Sequence, residues 1–264
     1  MPMTDAQRER YARQLVMQDI GEVGQEKLAR ASVLVIGAGG LGSPAALYLA
    51  AAGVGRLGIV DSDVVDLSNL QRQLLHQTAD LGRPKVVSAE ASLKALNPEV
   101  RVEAMQMMVT RENILPLVTD YDFIIEATDN FPAKFLVNDA CVLAGKPFSH
   151  GGVLAFHGQT MTYVPGQGPC FRCIFGDIPP KHLVESAKTT GVVGAMAGVI
   201  GSLQALEAVK YITGKGSLLT GRLLTADALT MKVRTVDLPD HVSTCPMCGD
   251  HAAGRLMDSY EQAE

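Results

Sequence analysis

Residues 32–43 read SVLVIGAGGLGS, and Pro44 follows. A β-branched run breaks into glycines and then meets Ser43-Pro44, an N-cap residue followed by the imino acid suited to the first helical position. The stretch therefore predicts strand, glycine turn and helix. Within it Gly37, Gly39 and Gly42 fit G-x-G-x-x-G, with Gly40 beside them, in the context where backbone amides and a helix N-terminus attract phosphate. Asp61 lies 19 residues beyond Gly42, at the end of the next apolar run, where a carboxylate suits ribose hydroxyls. The bland reading is a tight turn with no ligand, and the glycine pattern by itself does not separate NAD from ATP.

Outward from this unit, residues 56–61, 100–109 and 121–128 read as strands, and 85–96 and 132–144 as helices. Strand–helix alternation predicts a parallel sheet with right-handed crossovers. Beyond residue 147 the pattern changes to paired short strands, 147–153 with 156–164 and 222–227 with 231–237, and one long helix over 192–212. The expected fold is α/β: a Rossmann-like ATP-binding fold whose parallel sheet continues into antiparallel strands. A single domain over 1–264 is expected, with a helical segment at 5–29, a flexible loop at about 175–190 and a frayed tail at 250–264.

The 264 residues carry 23 Lys and Arg against 28 Asp and Glu, with no basic stripe, so no nucleic-acid partner is expected. A polar N-terminus without a signal-like apolar stretch predicts a cytoplasmic chain. The most apolar segment, 191–203, runs into Gln204, Glu207 and Lys210, too short for a span of roughly 20 residues, so no membrane association is expected.

The loop DSDVVDLSNLQRQ at 61–73 and Lys85 carry the more specific chemistry. Asn69, Arg72 and Lys85 supply an amide and two cations near the glycine turn, which suits a triphosphate better than a dinucleotide. Asp63, Ser68 and Gln73 of the same loop join the candidate nucleotide-binding residues. Thr128-Asp129-Asn130 closes a strand at the carboxyl edge where open α/β sheets hold ligands; there Asp129 is placed to bind Mg²⁺. The competing reading of Asp129 and Asn130 is capping of the following helix. Cys170 and Cys173, with Cys245 and Cys248, form two C-x-x-C pairs, which make one tetrahedral zinc site. Four thiolates leave no open position, so that ion is structural; a redox pair is the alternative. Cys141, among apolar neighbours, reads as a buried inert thiol.

GAGGLG, the 61–73 loop, Lys85, TDN at 128–130, CFRC, CPMC and TGVVGAMAGVIGSLQALEAVK together resemble the bacterial ThiF/MoeB/HesA group, which is similar to ubiquitin-activating enzymes. The likeness runs from about Tyr11 to Gly249. It implies ATP-dependent adenylation of the C-terminal glycine carboxylate of a ubiquitin-like sulfur carrier ending in Gly-Gly, of the thiamin or molybdopterin type. Gly37 to Gly42 would then face the nucleotide, Asp61 the ribose, Asn69, Arg72 and Lys85 the phosphates, and Asp129 would hold Mg²⁺. The YARQ segment resembles the motif whose arginine enters the neighbouring subunit, so Arg13 would act across a homodimer; its bland reading is a solvated helix charge. Many relatives carry a cysteine just before TGVVG, whereas this chain has Ala187-Lys188-Thr189 and no cysteine between Ile174 and Val192. A thioester on that loop is thereby excluded. Three other readings remain: an NAD-dependent oxidoreductase, a non-catalytic carrier- or peptide-binding relative, and an enzyme that adenylates a peptide or a tRNA.

Overall fold

A computed structural model describes residues 3–185, 189–240 and 242–263. Ala187 and Lys188 of the loop noted above lie outside them. The helices are α1 (Asp5–Arg10), α2 (Ala12–Leu15), α3 (Gly21–Arg30), α4 (Gly42–Ala52), α5 (Lys85–Leu96), α6 (Ile114–Thr119), α7 (Phe131–Leu143), α8 (Phe171–Phe175) and α9 (Gly194–Thr213). The strands are β1 (Ser32–Ile36), β2 (Arg56–Val60), β3 (Arg101–Met105), β4 (Phe123–Glu126), β5 (Phe148–Leu154), β6 (His157–Tyr163), β7 (Arg222–Asp227) and β8 (Lys232–Asp237).

The eight strands form one sheet in the order β3-β2-β1-β4-β5-β6-β7-β8. β1 to β5 are parallel, and β5 to β8 alternate in direction. The expected parallel sheet running on into antiparallel strands is the observed architecture. All five residues of SVLVI in β1 are buried because helices cover both sheet faces. Val33 and Val35 pack in a core with Leu49 of α4, Leu93 of α5 and Ile200 of α9. Leu34 and Ile36 point the other way, into a core with Val118 of α6, Phe135 of α7 and Phe171 of α8. At the far edge every residue of β8 is exposed, and its Lys232, Arg234 and Asp237 protect an unpaired edge with charge.

Several local expectations are corrected. α4 begins at Gly42 with Leu41 as N-cap, ahead of Ser43-Pro44, and Ser43 Oγ is buried without a partner. The glycine turn therefore feeds straight into the helix. The segment 5–29 breaks into three helices, the first break at Tyr11, which leaves helical geometry and buries its ring where Asn97 Nδ2 donates to its hydroxyl at 2.9 Å. The tail expected to fray is anchored: Tyr260 is buried, its hydroxyl donates to Asp139 Oδ2 at 2.6 Å, and Lys181 N donates to Ala263 O at 2.8 Å. Cys141 is fully buried, as expected, and burial raises its thiol pKa. Among the described residues no helix is long and apolar enough to cross a membrane.

Candidate active site

The chain leaves β1 toward β2 on one side and returns to β4 on the other, so β1 and β4 flank the topological switch point. Their carboxyl ends meet closely. Gly37 has φ +102°, and a Cβ there would stand 2.6 Å from Ala127 O. A Cβ on Gly42 would stand 1.8 Å from Gly37 O, so both positions require glycine. Gly39 faces Gln73 Nε2 and Gly40 lies against the stem of Arg72 and Ala197 of α9. Among the described residues the N–H groups of Gly39, Gly40 and Leu41 have no partner, and neither has the buried Gln73 Oε1. Uncommitted amides leading into an 11-residue helix form an anion cradle.

The 61–73 loop folds over this cradle. Asp61 is half-buried; its Oδ2 accepts from Ala38 N and its Oδ1 from Asp63 N, each at 2.8 Å. The carboxylate thus frames the turn while retaining acceptor capacity. Lys85 Nζ, on a buried residue at the start of α5, donates to Asp63 Oδ2 at 2.8 Å. Asp66 caps the short turn Leu67–Asn69: its carboxylate accepts from Ser68 N and Ser68 Oγ, and Asn69 Oδ1 accepts from Asp66 N. Ser68 and Asn69 are therefore engaged in shaping the loop. Arg72 donates from Nη1 to Ser68 O at 3.0 Å and has no acidic partner among the described residues.

Across the switch point, Asn130 accepts from Ala133 N at 2.9 Å and caps α7, so the capping alternative holds for Asn130. Asp129 is exposed, and among the described residues its carboxylate accepts only from Asn130 Nδ2, at 3.4 Å. Thr128 donates through N and Oγ1 to Glu126 Oε1. Glu126 itself is fully buried and joins Lys134 Nζ at 2.9 Å and His150 Nδ1 at 2.7 Å. Burial pushes its pKa up, but the Lys134 charge and the His150 bond outweigh that and leave it at about 2. Burial holds His150 below its ordinary value, so the neutral ring donates Nδ1–H. This support was missed in the sequence. Its signal was present in FIIEAT and FPAKFLVNDACVL: one acid inside an apolar strand, and Lys134, Asn138 and Asp139 inside an apolar helix.

Arg13 is not brought to the site. It is exposed and has no hydrogen bond or ion pair among the described residues, and its neighbour Gln14 reaches Ala52 O at 3.1 Å. Ala52 ends α4, about 15 Å along the helix axis from Gly42.

The four paired cysteines converge. All four sulfurs lie within 4.8 Å of one another, with Cys170–Cys173 at 3.8 Å, Cys170–Cys245 at 3.7 Å and Cys173–Cys248 at 3.3 Å. Sulfurs held about 2.3 Å from a tetrahedral zinc ion stand about 3.8 Å apart, so the cluster could hold that ion. Each cysteine is a free thiol rather than half of a disulfide. The hydrogen bond between Cys170 and Cys173 draws the Cys173 thiol down and pushes that of Cys170 up. Between the first pair, Arg172 makes a two-pronged buried ion pair with Asp139 at 2.8 and 2.9 Å and fixes α8 against α7.

Fold and site together define a nucleotide-binding α/β enzyme: unpartnered amides, two cations and an uncommitted carboxylate gathered at the switch point of a Rossmann-like sheet. The sequence profile of the ThiF family matches residues 11–247, and the chain belongs to that family. It is an adenylyltransferase. It is 46% identical over 266 residues to the sulfur carrier protein adenylyltransferase of Thermus thermophilus, spanning 99% of this chain and 98% of that protein. Identity to the SAMP-activating enzyme of Haloferax volcanii is 44%, over 96% of this chain and 93% of that one. Against the adenylyltransferase and sulfurtransferase MOCS3 of Anopheles gambiae it is 46%, over 96% of this chain, which spans 57% of that longer protein. Among solved structures, Escherichia coli MccB superposes with a TM-score of 0.82 over 93% of this chain and 73% of its own, at 23% identity, a likeness of fold.

Proposed function

We propose that the chain uses ATP to adenylate the C-terminal glycine carboxylate of a ubiquitin-like sulfur-carrier protein ending in Gly-Gly. The observation that carries this reading is the convergence of the free Gly39–Leu41 amides, Arg72, Lys85 and Asp129 on one sheet edge. The Thermus relative, matched end to end, bears the name of that activity.

The glycine turn receives the phosphates on its N–H groups, Asp61 takes the ribose, and Arg72 and Lys85 oppose the negative charge that grows in the transition state. Lys85 is pre-set by Asp63 and loses little freedom on binding. A carrier C-terminus is already ionised at neutral pH, because an α-carboxyl group has a pKa near 3.5, so the site needs no general base. One carboxylate oxygen bonds to the α-phosphorus, the bond from phosphorus to the β-bridging oxygen breaks, and pyrophosphate leaves with that electron pair. An acyl-adenylate remains for sulfur transfer. The exposed Asp129 carboxylate, committed among the described residues to nothing but Asn130, fits a Mg²⁺ ligand, and the bound ion would neutralise phosphate charge. Four thiolates at tetrahedral spacing fit a structural zinc ion that ties Cys245 and Cys248 to α8.

The same reading includes a homodimer. α3, α4 and α9 lie side by side and expose Val23, Tyr48, Val199 and Leu206, an apolar face suited to a second copy of the chain. Arg13, remote from its own glycine turn, would then serve the neighbouring one.

The test is incubation with ATP, Mg²⁺ and purified carriers of the thiamin and molybdopterin types, following pyrophosphate and carrier mass. An AMP adduct on one carrier supports the reading and selects the pathway. Bound ATP without release for any carrier would sink it in favour of peptide-tail binding.

A further inference from the structure

His76 is buried beneath the glycine turn and none of the chemistry above uses it. Its Nε2 stands 3.0 Å from Ala38 O, and its Nδ1 stands 3.0 Å from Ser88 Oγ, which donates to Asp80 Oδ2 at 2.8 Å. A backbone carbonyl only accepts, so the contact to Ala38 requires the proton on Nε2. That carbonyl belongs to the same planar peptide as Gly39 N–H, and in a trans peptide the two groups point in opposite directions. Fixing Ala38 O inward on His76 therefore fixes Gly39 N–H outward, toward the open side of the turn, where that N–H has no partner among the described residues. On the preceding peptide Asp61 Oδ2 holds Ala38 N at 2.8 Å. Ala38 is thus clamped at both ends, by Asp61 just after β2 and by His76 from the loop ahead of α5. A G-x-G turn without such clamps has conformational freedom at each glycine that a bound phosphate would have to remove.

Resting on the nucleotide reading of the turn, we propose that His76 is a positioning residue for ATP: through Nε2–H it locks the Ala38–Gly39 peptide so that Gly39 N–H is presented to the phosphates. It touches no reacting atom.

The test compares ATP·Mg²⁺ affinity, measured by calorimetry, for the full chain with that of His76→Gln and His76→Leu. A glutamine amide nitrogen can stand near the imidazole Nε2 position and still donate to Ala38 O; leucine cannot. The expected result is about a tenfold weaker Kd for His76→Leu, the worth of roughly one buried hydrogen bond, with His76→Gln within about threefold of the parent. In the adenylation assay the loss falls on KM for ATP and leaves kcat nearly unchanged. A folded His76→Leu that binds ATP as tightly as the parent overturns the clamp, as does equal weakening by both variants. Nitrogen-15 spectra of the parent give an answer even where a variant fails to fold: a proton on Nε2 of His76 at neutral pH supports the clamp, and a bare Nε2 overturns it. A parent chain that binds no ATP would instead sink the nucleotide reading on which the clamp rests.

Discussion

Glu126→Gln is the most informative perturbation of the site's foundation. The introduced amide oxygen would still accept from Thr128 N and Oγ1, so the substitution removes charge and little shape. It leaves the Lys134 ammonium, 10% exposed at its side chain, without a carboxylate, its acceptors being the neutral amide oxygen and Gly151 O at 2.7 Å. Removing one member of a buried pair costs about 3–5 kcal/mol. Linkage gives a similar figure: a carboxyl group lowered from 4.5 to about 2 contributes about 3 kcal/mol at neutral pH. Because the folded pKa is depressed, that stability is present above about 4.5 and is lost as pH falls toward 2; at pH 3 less than half of it remains. Urea unfolding of parent and variant at pH 7 and pH 3, at constant zinc, measures the gap directly. It should shrink by about half or more between the two. A gap under about 1 kcal/mol at pH 7, or one that does not change with pH, refutes the buried-pair account.

Asp129→Ala and Arg72→Ala should each change stability by no more than about 0.5 kcal/mol, since among the described residues the carboxylate of the first bonds only Asn130 and the guanidinium of the second only Ser68 O, while lowering pyrophosphate release by about 100-fold or more. Unimpaired turnover in Asp129→Ala would remove the metal role assigned to it. Cys170→Ser should reduce zinc from one ion per chain and lower Tm by on the order of 10 °C, leaving ATP affinity of the folded fraction within about threefold. A chelator that leaves the melting curve of the parent unmoved would count against a structural ion.

Much of this was legible in the sequence because the signals are local. The glycine turn, the strand before it, the 85–96 helix and the C-x-x-C spacing each depend on residues a few positions apart, and the structure has them nearly residue for residue. Ser43-Pro44 misled for a physical reason: Gly42 can enter the helix directly, so the cap preferred by local propensity was not needed. α8 was missed because five residues carry no periodicity, and it stands on contacts from elsewhere in the chain, Asn138 Oδ1 accepting from Phe171 N and Asp139 pairing with Arg172. The tail looked free because its anchor, Asp139, lies 121 residues before Tyr260.

The candidate residues also divide in a way no motif could show. Ser68, Asn69 and Asn130 hold the loops in shape, as Asp66, Thr128 and Glu126 do around them, and their hydrogen-bonding groups are spent largely within the fold. Arg72, Asp129 and the amides of Gly39, Gly40 and Leu41 are left with unused capacity on one side of the switch point. Solvent-accessible charges and amides that the fold does not engage are hydrated and contribute little to stability, so they stay free to pair with a ligand. Asp61 and Lys85 stand between the two groups, each fixed by protein partners and each retaining room for another. Commitment in the ligand-free fold, rather than membership of a motif, therefore separates the residues whose substitution should damage stability from those whose substitution should damage only adenylation.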